Sequence, residues 1–157
     1  MKPTKRHLTP GEWAVLSPGL AGALRAAGAA PRIVDAAHPG AKVSKAWRGA
    51  APILTRGNDI WWPGAPDDLS RPGREAAMAL LQHELQHVLE YASGALSAAA
   101  YLANPKNWTY AYKLGPGSRW SDFGAEQRAS IVEQLWRLER GGDAAALAAH
   151  RRIIPWA

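Results

Sequence analysis

One short stretch of this 157-residue chain combines residue types that can bind a metal ion and move a proton. His83 and His87 are four residues apart, and Glu84 directly follows the first histidine. Residues four apart lie on one face of an α-helix, so both imidazoles can reach a single ion. Glu84 is rotated by about 100° from His83, so it stands beside the ion, where it can hydrogen-bond a bound water. The spacing is typical of zinc metalloproteases.

The composition restricts the chemistry of such a site. The chain has no cysteine, so a metal ion must be held by histidine and carboxylate groups. Imidazole suits zinc, which keeps an open position for water in catalytic sites and lowers the pKa of that water to about 7. We therefore predict Zn²⁺ as cofactor, Glu84 as the general base that later protonates the leaving amine, and a peptide or protein as substrate.

A third protein ligand must come from elsewhere in the chain, and the acids are better candidates than His150, which is expected in a peripheral helix. Glu126 follows Gly124 near the start of a predicted helix, where small neighbours allow a close approach to the histidine helix. Glu133 lies two turns further on the same face and is the alternative ligand. The non-functional explanation for Glu126 is a first-turn acid that interacts favourably with the helix dipole.

The elements that must position these residues can be read from periodicity, caps and turns. The histidine motif is in the middle of a predicted helix over about residues 73–92, which Gly94 ends. A hairpin of residues 53–55 and 60–62 comes before it. The other predicted elements are a helix capped by Thr9, a strand at 31–36, an irregular segment at 38–51, a helical stretch to Leu102, a rim loop at 104–118, a helix from Asp122 to about Arg140 and a short last helix ending before Pro155.

These elements predict one α+β domain over residues 1–157. It is expected to be mostly helical, with a small antiparallel sheet preceding the active-site helix and a flexible tail at residues 1–8. Stretches such as the Ala-rich residues 96–103 are far shorter than the roughly 20 apolar residues that cross a bilayer. The basic first residues lack the apolar run of a secretory signal. We therefore expect a cytoplasmic protein without membrane contact, although delivery by a non-classical secretion system is compatible with this pattern.

Several motifs together resemble one family. His83-Glu84-Leu85-Gln86-His87 is followed by Glu126-Gln127-Arg128-Ala129-Ser130-Ile131-Val132, and further matches are Tyr110-Ala111-Tyr112, Leu8-Thr9-Pro10-Gly11-Glu12 and Ile60-Trp61-Trp62-Pro63. The chain thereby resembles the bacterial Vgr-related proteins, small metallopeptidases of the glutamate-zincin type, over roughly residues 8–138. The resemblance implies a zincin-like domain that binds zinc through His83, His87 and Glu126, with Glu84 as base.

Two positions depart from the pattern of that family. Arg128 stands where the family has glutamine, and Ser130 stands where many glutamate-zincins have an aspartate that orients a zinc histidine. We therefore expect another carboxylate or a backbone carbonyl to accept the histidine N–H. Glu90 and Tyr91, one turn past His87, are candidates for residues that support the ligands.

Other side chains have both a functional and a structural explanation. Tyr110 or Tyr112 is predicted to stabilise an oxyanion catalytically, unless it only packs on the catalytic helix. The strand Ile60–Trp62 is a candidate sheet edge for peptide docking, with core packing as the alternative for its tryptophans. His7 and His38 are expected to have no function.

Two other functional classes are alternatives, and the first depends on the charge distribution. Residues 1–57 carry nine Lys or Arg against two acids, a net charge of +7, whereas residues 58–157 carry ten against eleven, a net charge of −1. The basic third could bind an anionic partner, or it could be a solvated face. A basic nucleic-acid-binding protein is therefore one alternative, although the basic residues are spread singly and do not form the aromatic-interleaved run of single-stranded nucleic-acid binders. The resemblance to the Vgr-related proteins implies another alternative, a zinc-stabilised structural or interaction module of a phage-tail-like or secretion assembly.

Overall fold

The computed structural model describes residues 4–41 and 52–157, and within these ranges it confirms an α+β fold that is mostly helical. Short 3₁₀ turns lie at Pro39–Ala41, Pro105–Trp108 and Trp120–Asp122. The strands are β1 (Thr4–His7), β2 (Arg32–Asp35), β3 (Leu54–Arg56) and β4 (Asp59–Trp61). The helices are α1 (Pro10–Ala14), α2 (Pro18–Ala26), α3 (Glu75–Ala92), α4 (Ala98–Ala103), α5 (Ala125–Leu138) and α6 (Ala144–Ile153).

The four strands form one sheet in the order β1-β2-β4-β3. The predicted hairpin is present as the antiparallel pair β3–β4, and β1 pairs with β2 in the same antiparallel way. The pair β2–β4, however, is parallel, so the sheet is mixed and not purely antiparallel. The sheet is mixed because the second strand of the hairpin, β4, lies next to β2, and β3 lies on the far side of β4. This leaves β4 beside β2 and running in the same direction.

The start of the chain differs from the prediction. Within the expected flexible tail of residues 1–8, Thr4–His7 form β1, whose register pairs Lys5 with Val34 and Arg6 with Ile33. The Arg6 guanidinium also donates two hydrogen bonds to the buried carboxylate of Glu12, at 2.9 and 2.8 Å. These contacts fix β1 although its own residues are mostly exposed and lack apolar alternation.

Local signals set the helix boundaries at most of the predicted positions. Thr9 and Glu12 form the reciprocal capping box that starts α1, and Gly94 follows α3 with φ of +76°. The helix predicted from Asp122 begins later, at Ala125. Its delay has a local cause, because the Asp122 carboxylate accepts the backbone N–H of Arg119 and closes a 3₁₀ turn there. Of the predicted irregular segment 38–51, residues 42–51 lie outside the described residues.

Helix α3 is the centre of the molecule, and every residue from Leu81 to Glu90 is buried. It packs most extensively against α5, and it also contacts α2 and the β3–β4 hairpin. Its apolar residues join those of the sheet and of α5 in one hydrophobic core. The fully buried members of this core include Leu20, Leu24, Ile33, Ile60, Leu81, Leu85, Ile131 and Leu135.

No helix within the described ranges has the length and apolar character needed to cross a membrane.

Candidate metal centre

The two motif histidines lie one turn apart on the buried face of α3. Their ring centroids are 5.2 Å apart, and only about 5% of each residue is exposed to solvent. A face this deeply buried is normally apolar, because polar groups removed from water must find hydrogen-bond partners. The partner that reaches both rings comes from α5.

Glu126, in the first turn of α5, supplies that partner. Its Oε2 atom lies 2.9 Å from His83 Nε2 and 3.3 Å from His87 Nε2. The candidate ligand atoms of the three residues all lie within 4.8 Å of one another. Donor atoms about 3.3 Å apart are expected around tetrahedral zinc with bonds of about 2.0 Å, so the observed spacing fits. The three residues could hold a metal ion, as the sequence predicts for this cluster.

The start of α5 is held in place by the turn that precedes it in the chain. The Asn107 side chain accepts the backbone N–H of Ala125 at 3.0 Å and donates to the Ala100 carbonyl at 3.1 Å. A side chain at Gly124 would collide with the backbone carbonyl of Lys106, so this approach requires glycine. The Asn107 side chain thus connects α4 to Ala125, the residue before Glu126.

Hydrogen bonds control the protonation of the cluster. Burial opposes ionisation of Glu126, but hydrogen bonds from His83, His87 and Tyr101 outweigh burial and lower the pKa of its carboxyl well below the ordinary value. Burial likewise lowers the pKa of His83, but the neighbouring carboxylates of Glu126 and Glu133 raise it to about 9. Without a metal ion, a protonated His83 therefore compensates the Glu126 carboxylate, and a bound cation would replace that proton.

Glu133 lies behind His83 instead of joining the ligand group. Its Oε2 atom is 3.5 Å from His83 Nδ1, the ring nitrogen that faces away from Glu126, and its Oε1 atom accepts from Arg137 at 2.8 Å. The hypothesis that Glu133 is the third ligand is therefore wrong for this structure. Glu133 is instead a carboxylate behind the ligand histidine, in ion-pair range of His83 Nδ1 but without a hydrogen bond to it.

Tyr101 on α4 is a site residue that the sequence analysis missed. Its hydroxyl donates to Glu126 Oε1 at 2.6 Å, the oxygen that does not face the histidines. Its ring meets His87 edge to face at 6.5 Å. Burial and the nearby Glu126 carboxylate raise the pKa of this phenol far above its ordinary value, so it remains a hydrogen-bond donor. No motif spacing marks Tyr101, because α4 reaches the site only through tertiary packing.

Glu84 is separate from the ligand group, as its position on the helix predicts. Its Oε2 atom accepts the Thr55 hydroxyl of β3 at 2.7 Å, and only 6% of the residue is exposed. The hairpin contacts α3 at this point, so the edge strand orients the carboxylate. Thr55 is a second residue that the sequence analysis missed.

The two candidate tyrosines of the rim loop have different surroundings. Tyr110 is 46% exposed and stacks on His83 with a centroid distance of 6.0 Å. The Tyr112 hydroxyl lies 2.9 Å from His150 Nε2, and its ring packs against Phe123. The prediction for Tyr112 is corrected accordingly, because its hydroxyl faces α6 and not the histidine pair. Burial raises the pKa of Tyr112 to about 12.

A cavity of about 210 Å³ opens next to the cluster. Glu84, His87 and Glu126 form one wall, and Tyr91 continues it along α3. Burial raises the pKa of the Tyr91 phenol. Apolar residues before and within β3 and around α4 supply most of the rest. The other residues lining the cavity are His38, Ile53, Leu54, Thr55, Arg56, Leu96, Ala98, Tyr101, Leu102 and Tyr110.

The predicted sheet edge lies elsewhere than expected. Strand β4 is interior, with β2 on one side and β3 on the other, so among the strands of residues 4–41 and 52–157 it is β3 that forms the sheet edge bordering the cavity. Trp62 is part of the core, and Trp61 meets the ring of His38 edge to face at 5.2 Å. Core packing is therefore the right explanation for Trp62.

Glu90 supports the helices and not the ligands. Its carboxylate accepts the Arg128 guanidinium at 2.6 and 3.1 Å and the Gln86 amide at 3.0 Å. Arg128 also donates to the Phe123 carbonyl. The arginine that departs from the family pattern thus joins α5 to α3, one turn beyond the histidines.

Three of the five basic residues described in the N-terminal third pair with acids. Lys5 and Arg32 both pair with Asp59, at 2.8 and 2.7 Å, and Arg6 pairs with Glu12. These ion pairs reduce the charge that this part of the chain offers to an anionic partner.

Comparison with protein-family models, with curated proteins and with solved structures finds no match to this chain. The resemblance to the Vgr-related proteins therefore stays a prediction that depends on the motifs alone.

Proposed function

We propose that this protein is a zinc-dependent hydrolase, and specifically a metallopeptidase with Glu84 as its general base. The observation that carries the proposal is the convergence of His83, His87 and Glu126, whose ligand atoms lie within 4.8 Å of one another. Glu84 borders the same cavity as His87 and Glu126 but is bound to Thr55. A metal group and an independent base therefore face one space that a substrate can enter.

The donor set favours zinc among the divalent cations. Two imidazole nitrogens and one carboxylate oxygen suit zinc, whereas magnesium and calcium prefer oxygen ligands throughout. When bound at such a site, zinc supplies a Lewis acid that polarises a carbonyl and lowers the pKa of water. Burial of the three side chains adds to this chemistry, because electrostatic interactions are stronger away from bulk water.

Three residues that line the cavity can each contribute to peptide hydrolysis. Glu84 takes a proton from the attacking water as the water oxygen adds to the carbonyl carbon, and it returns a proton to the amine nitrogen as the C–N bond breaks. The Thr55 hydroxyl holds the Glu84 carboxylate in position for both transfers. Tyr110, at the cavity wall, is the better placed of the two predicted tyrosines to stabilise the oxyanion.

Strand β3 offers a backbone edge on which an extended peptide can dock. Such a peptide would add a strand to the sheet, with backbone hydrogen bonds giving affinity and side-chain pockets giving selectivity. Thr55 belongs to this edge and touches Glu84, so a peptide bond lying on β3 comes close to the base. This arrangement supports a polypeptide as the substrate.

The competing proposal is a zinc-stabilised structural module. Structural zinc sites are closed by four protein ligands, whereas catalytic sites keep one position open. Within residues 4–41 and 52–157, the candidate group has three members, and the nearby Glu84 is held by Thr55. This favours the hydrolase over the structural module.

The test separates metal binding from catalysis. Metal analysis of the purified protein should find about one zinc per chain, and the His83→Ala and Glu126→Ala variants should lose it. Glu84→Gln should keep zinc but lose more than about 99% of its peptidase activity, because removal of a general base costs about 10²–10⁴-fold.

Glu75→Gln is the matched control, since Glu75 is an exposed glutamate on the same helix. It should keep both zinc and activity. Full activity in Glu84→Gln, or zinc that stays bound in both ligand variants, would contradict the proposal.

A further inference from the structure

A cationic side chain borders the cavity beside the proposed base. Arg56 ends β3, directly after Thr55, and it lines the cavity. Within the described parts of the chain, no acid pairs with its guanidinium. Asp59 lies directly opposite Arg56 in the β3–β4 register, but its two oxygens are taken by Lys5 and Arg32. The acid best placed to neutralise Arg56 is therefore already neutralised by other residues.

The charge of Arg56 acts inside the cavity. It opposes the rise in the pKa of Tyr91, whose phenol is on the α3 wall. With a divalent cation on the two histidines and Glu126, the cation, Glu126, Glu84 and Arg56 together carry a net charge of +1. The cavity then favours an anionic group over a cationic one.

Leucine side chains supply apolar parts of the remaining cavity walls. Leu54 lies next to Thr55 on the β3 side, and Leu96 and Leu102 lie on the α4 side. Leu102 is 67% exposed and Tyr110 is 46% exposed, so this side of the cavity presents apolar surface to solvent. Exposed apolar surface at the rim of a cavity is typical of a binding site.

Building on the proposed hydrolase function, we propose that the substrate is an acidic polypeptide segment. It places an apolar side chain in the cavity and a carboxylate against Arg56. Strand residues rise by about 3.3 Å each, and Arg56 directly follows Thr55, which touches Glu84. The acidic residue of the substrate therefore lies within about two residues of the bond that is cut.

The test compares how tightly the protein binds peptide mixtures that differ only in the charge of one residue. Fluorescein-labelled eight-residue peptides carry one fixed leucine and, within two residues of it, glutamate, glutamine or lysine, with the other positions randomised. Anisotropy titrations use the zinc-loaded Glu84→Gln variant, which is expected to hold the peptides without cutting them. Glutamate mixtures should bind up to about 5-fold tighter than glutamine mixtures, as for a partly exposed ion pair, and lysine mixtures weakest.

Charge reversal provides the decisive comparison. In the background of Glu84→Gln, the change Arg56→Glu should invert the preference, so that lysine mixtures bind tightest. Arg71→Glu reverses an exposed arginine outside the cavity lining and should leave the preference for glutamate unchanged. This control separates a local pairing from the effect of net charge.

Failure of this inference differs from failure of the proposed function. If no mixture binds, or if the preference for glutamate survives Arg56→Glu, the assignment of Arg56 is overturned. If wild-type protein cleaves all mixtures at equal rates, the peptidase function is supported and the preference for acidic substrates is contradicted. If the charge preference changes with Arg56→Glu but wild-type protein cleaves none of the mixtures, the binding site at Arg56 is supported and the proposed peptidase function is contradicted.

Discussion

The interface between α3 and α5 contains two buried charged clusters that differ in how completely they are compensated. At one end, the carboxylate of Glu90 accepts the guanidinium of Arg128 through both oxygens. One turn away, the carboxylate of Glu126 faces two imidazoles, which carry a charge only when protonated. The first cluster is an ion pair that is complete within the chain, and the second reaches charge balance only when a proton or a cation joins it.

The same two helices thus separate a structural task from a chemical one. The pair Glu90–Arg128 holds the helices at a set distance, because a buried ion pair with good geometry restricts how its elements can slide. The histidine cluster uses that distance, since His83 and Glu126 meet only if the helices are in register. In the described parts of the chain, the Nδ1 atoms of both His83 and His87 are buried without a hydrogen-bond partner, whereas beside the Glu90–Arg128 pair only Gln86 Oε1 lacks one, so the histidine cluster is also less satisfied in hydrogen bonding. A site that must exchange a cation cannot be as fully satisfied as one that only holds the fold.

The largest expected effect comes from breaking the complete pair. Arg128→Ala leaves Glu90 buried with only the Gln86 amide and should lower the free energy of unfolding by about 3–5 kcal/mol. Urea denaturation of the metal-free protein measures this loss. The double variant Glu90→Met with Arg128→Met removes both charges and should recover most of the stability. If the single variant costs less than about 1 kcal/mol, or the double variant costs as much as the single one, the pair is not the structural clamp described above.

A smaller effect is expected from the carboxylate behind His83. Glu133→Leu removes the acceptor 3.5 Å from Nδ1 and should weaken zinc binding by about 10- to 100-fold, as for other carboxylates that orient a ligand histidine. Glu133→Gln keeps an acceptor without its charge and should fall between Glu133→Leu and the wild type. Chelator competition measures both affinities.

Arg137→Gln is the control for this prediction, because Arg137 binds the other oxygen of Glu133 at a more exposed position. It should change zinc affinity by less than either change at Glu133. Equal zinc affinity in Glu133→Leu and wild type would show that Glu133 does not position the ligand.

The parts of the site that a single helix determines could be predicted from the sequence. The spacing of His83 and His87 defines a shared face in any α-helix, and Glu84 follows from the same geometry. Glu126 was accessible through its motif and its small neighbours. The predictions for His83, Glu84 and His87 needed no knowledge of how distant segments pack.

The parts that depend on packing between distant segments could not be predicted. Thr55 reaches Glu84 because β3 is the outer strand of a mixed sheet, and no local pattern reveals strand order. Tyr101 reaches Glu126 through the bridge that Asn107 makes between α4 and α5. Strand β1 has a polar sequence without apolar alternation, so its place in the sheet depends on β2 and on the contact between Arg6 and Glu12.

The mildest perturbation removes a proton and no side chain. In the metal-free protein the pKa of His83 is raised from its ordinary value of 6.5 to about 9. A raised folded-state pKa contributes stability that is fully present below pH 6.5 and is lost as the pH rises through 9. The lowered pKa of Glu126 contributes only above the ordinary carboxyl range near 4.5, so its contribution stays constant over this window.

Urea denaturation in EDTA between pH 6 and 9.5 should therefore show the free energy of unfolding falling with pH in the wild type. The fall should be reduced in His83→Gln, which cannot take up the proton. Zinc affinity should move in the opposite direction, because its ligands must lose protons to bind the ion. A decline of equal size in His83→Gln would mean that other groups cause it. In that case the cluster would resemble the complete pair at Glu90 and Arg128 more closely than its charges suggest.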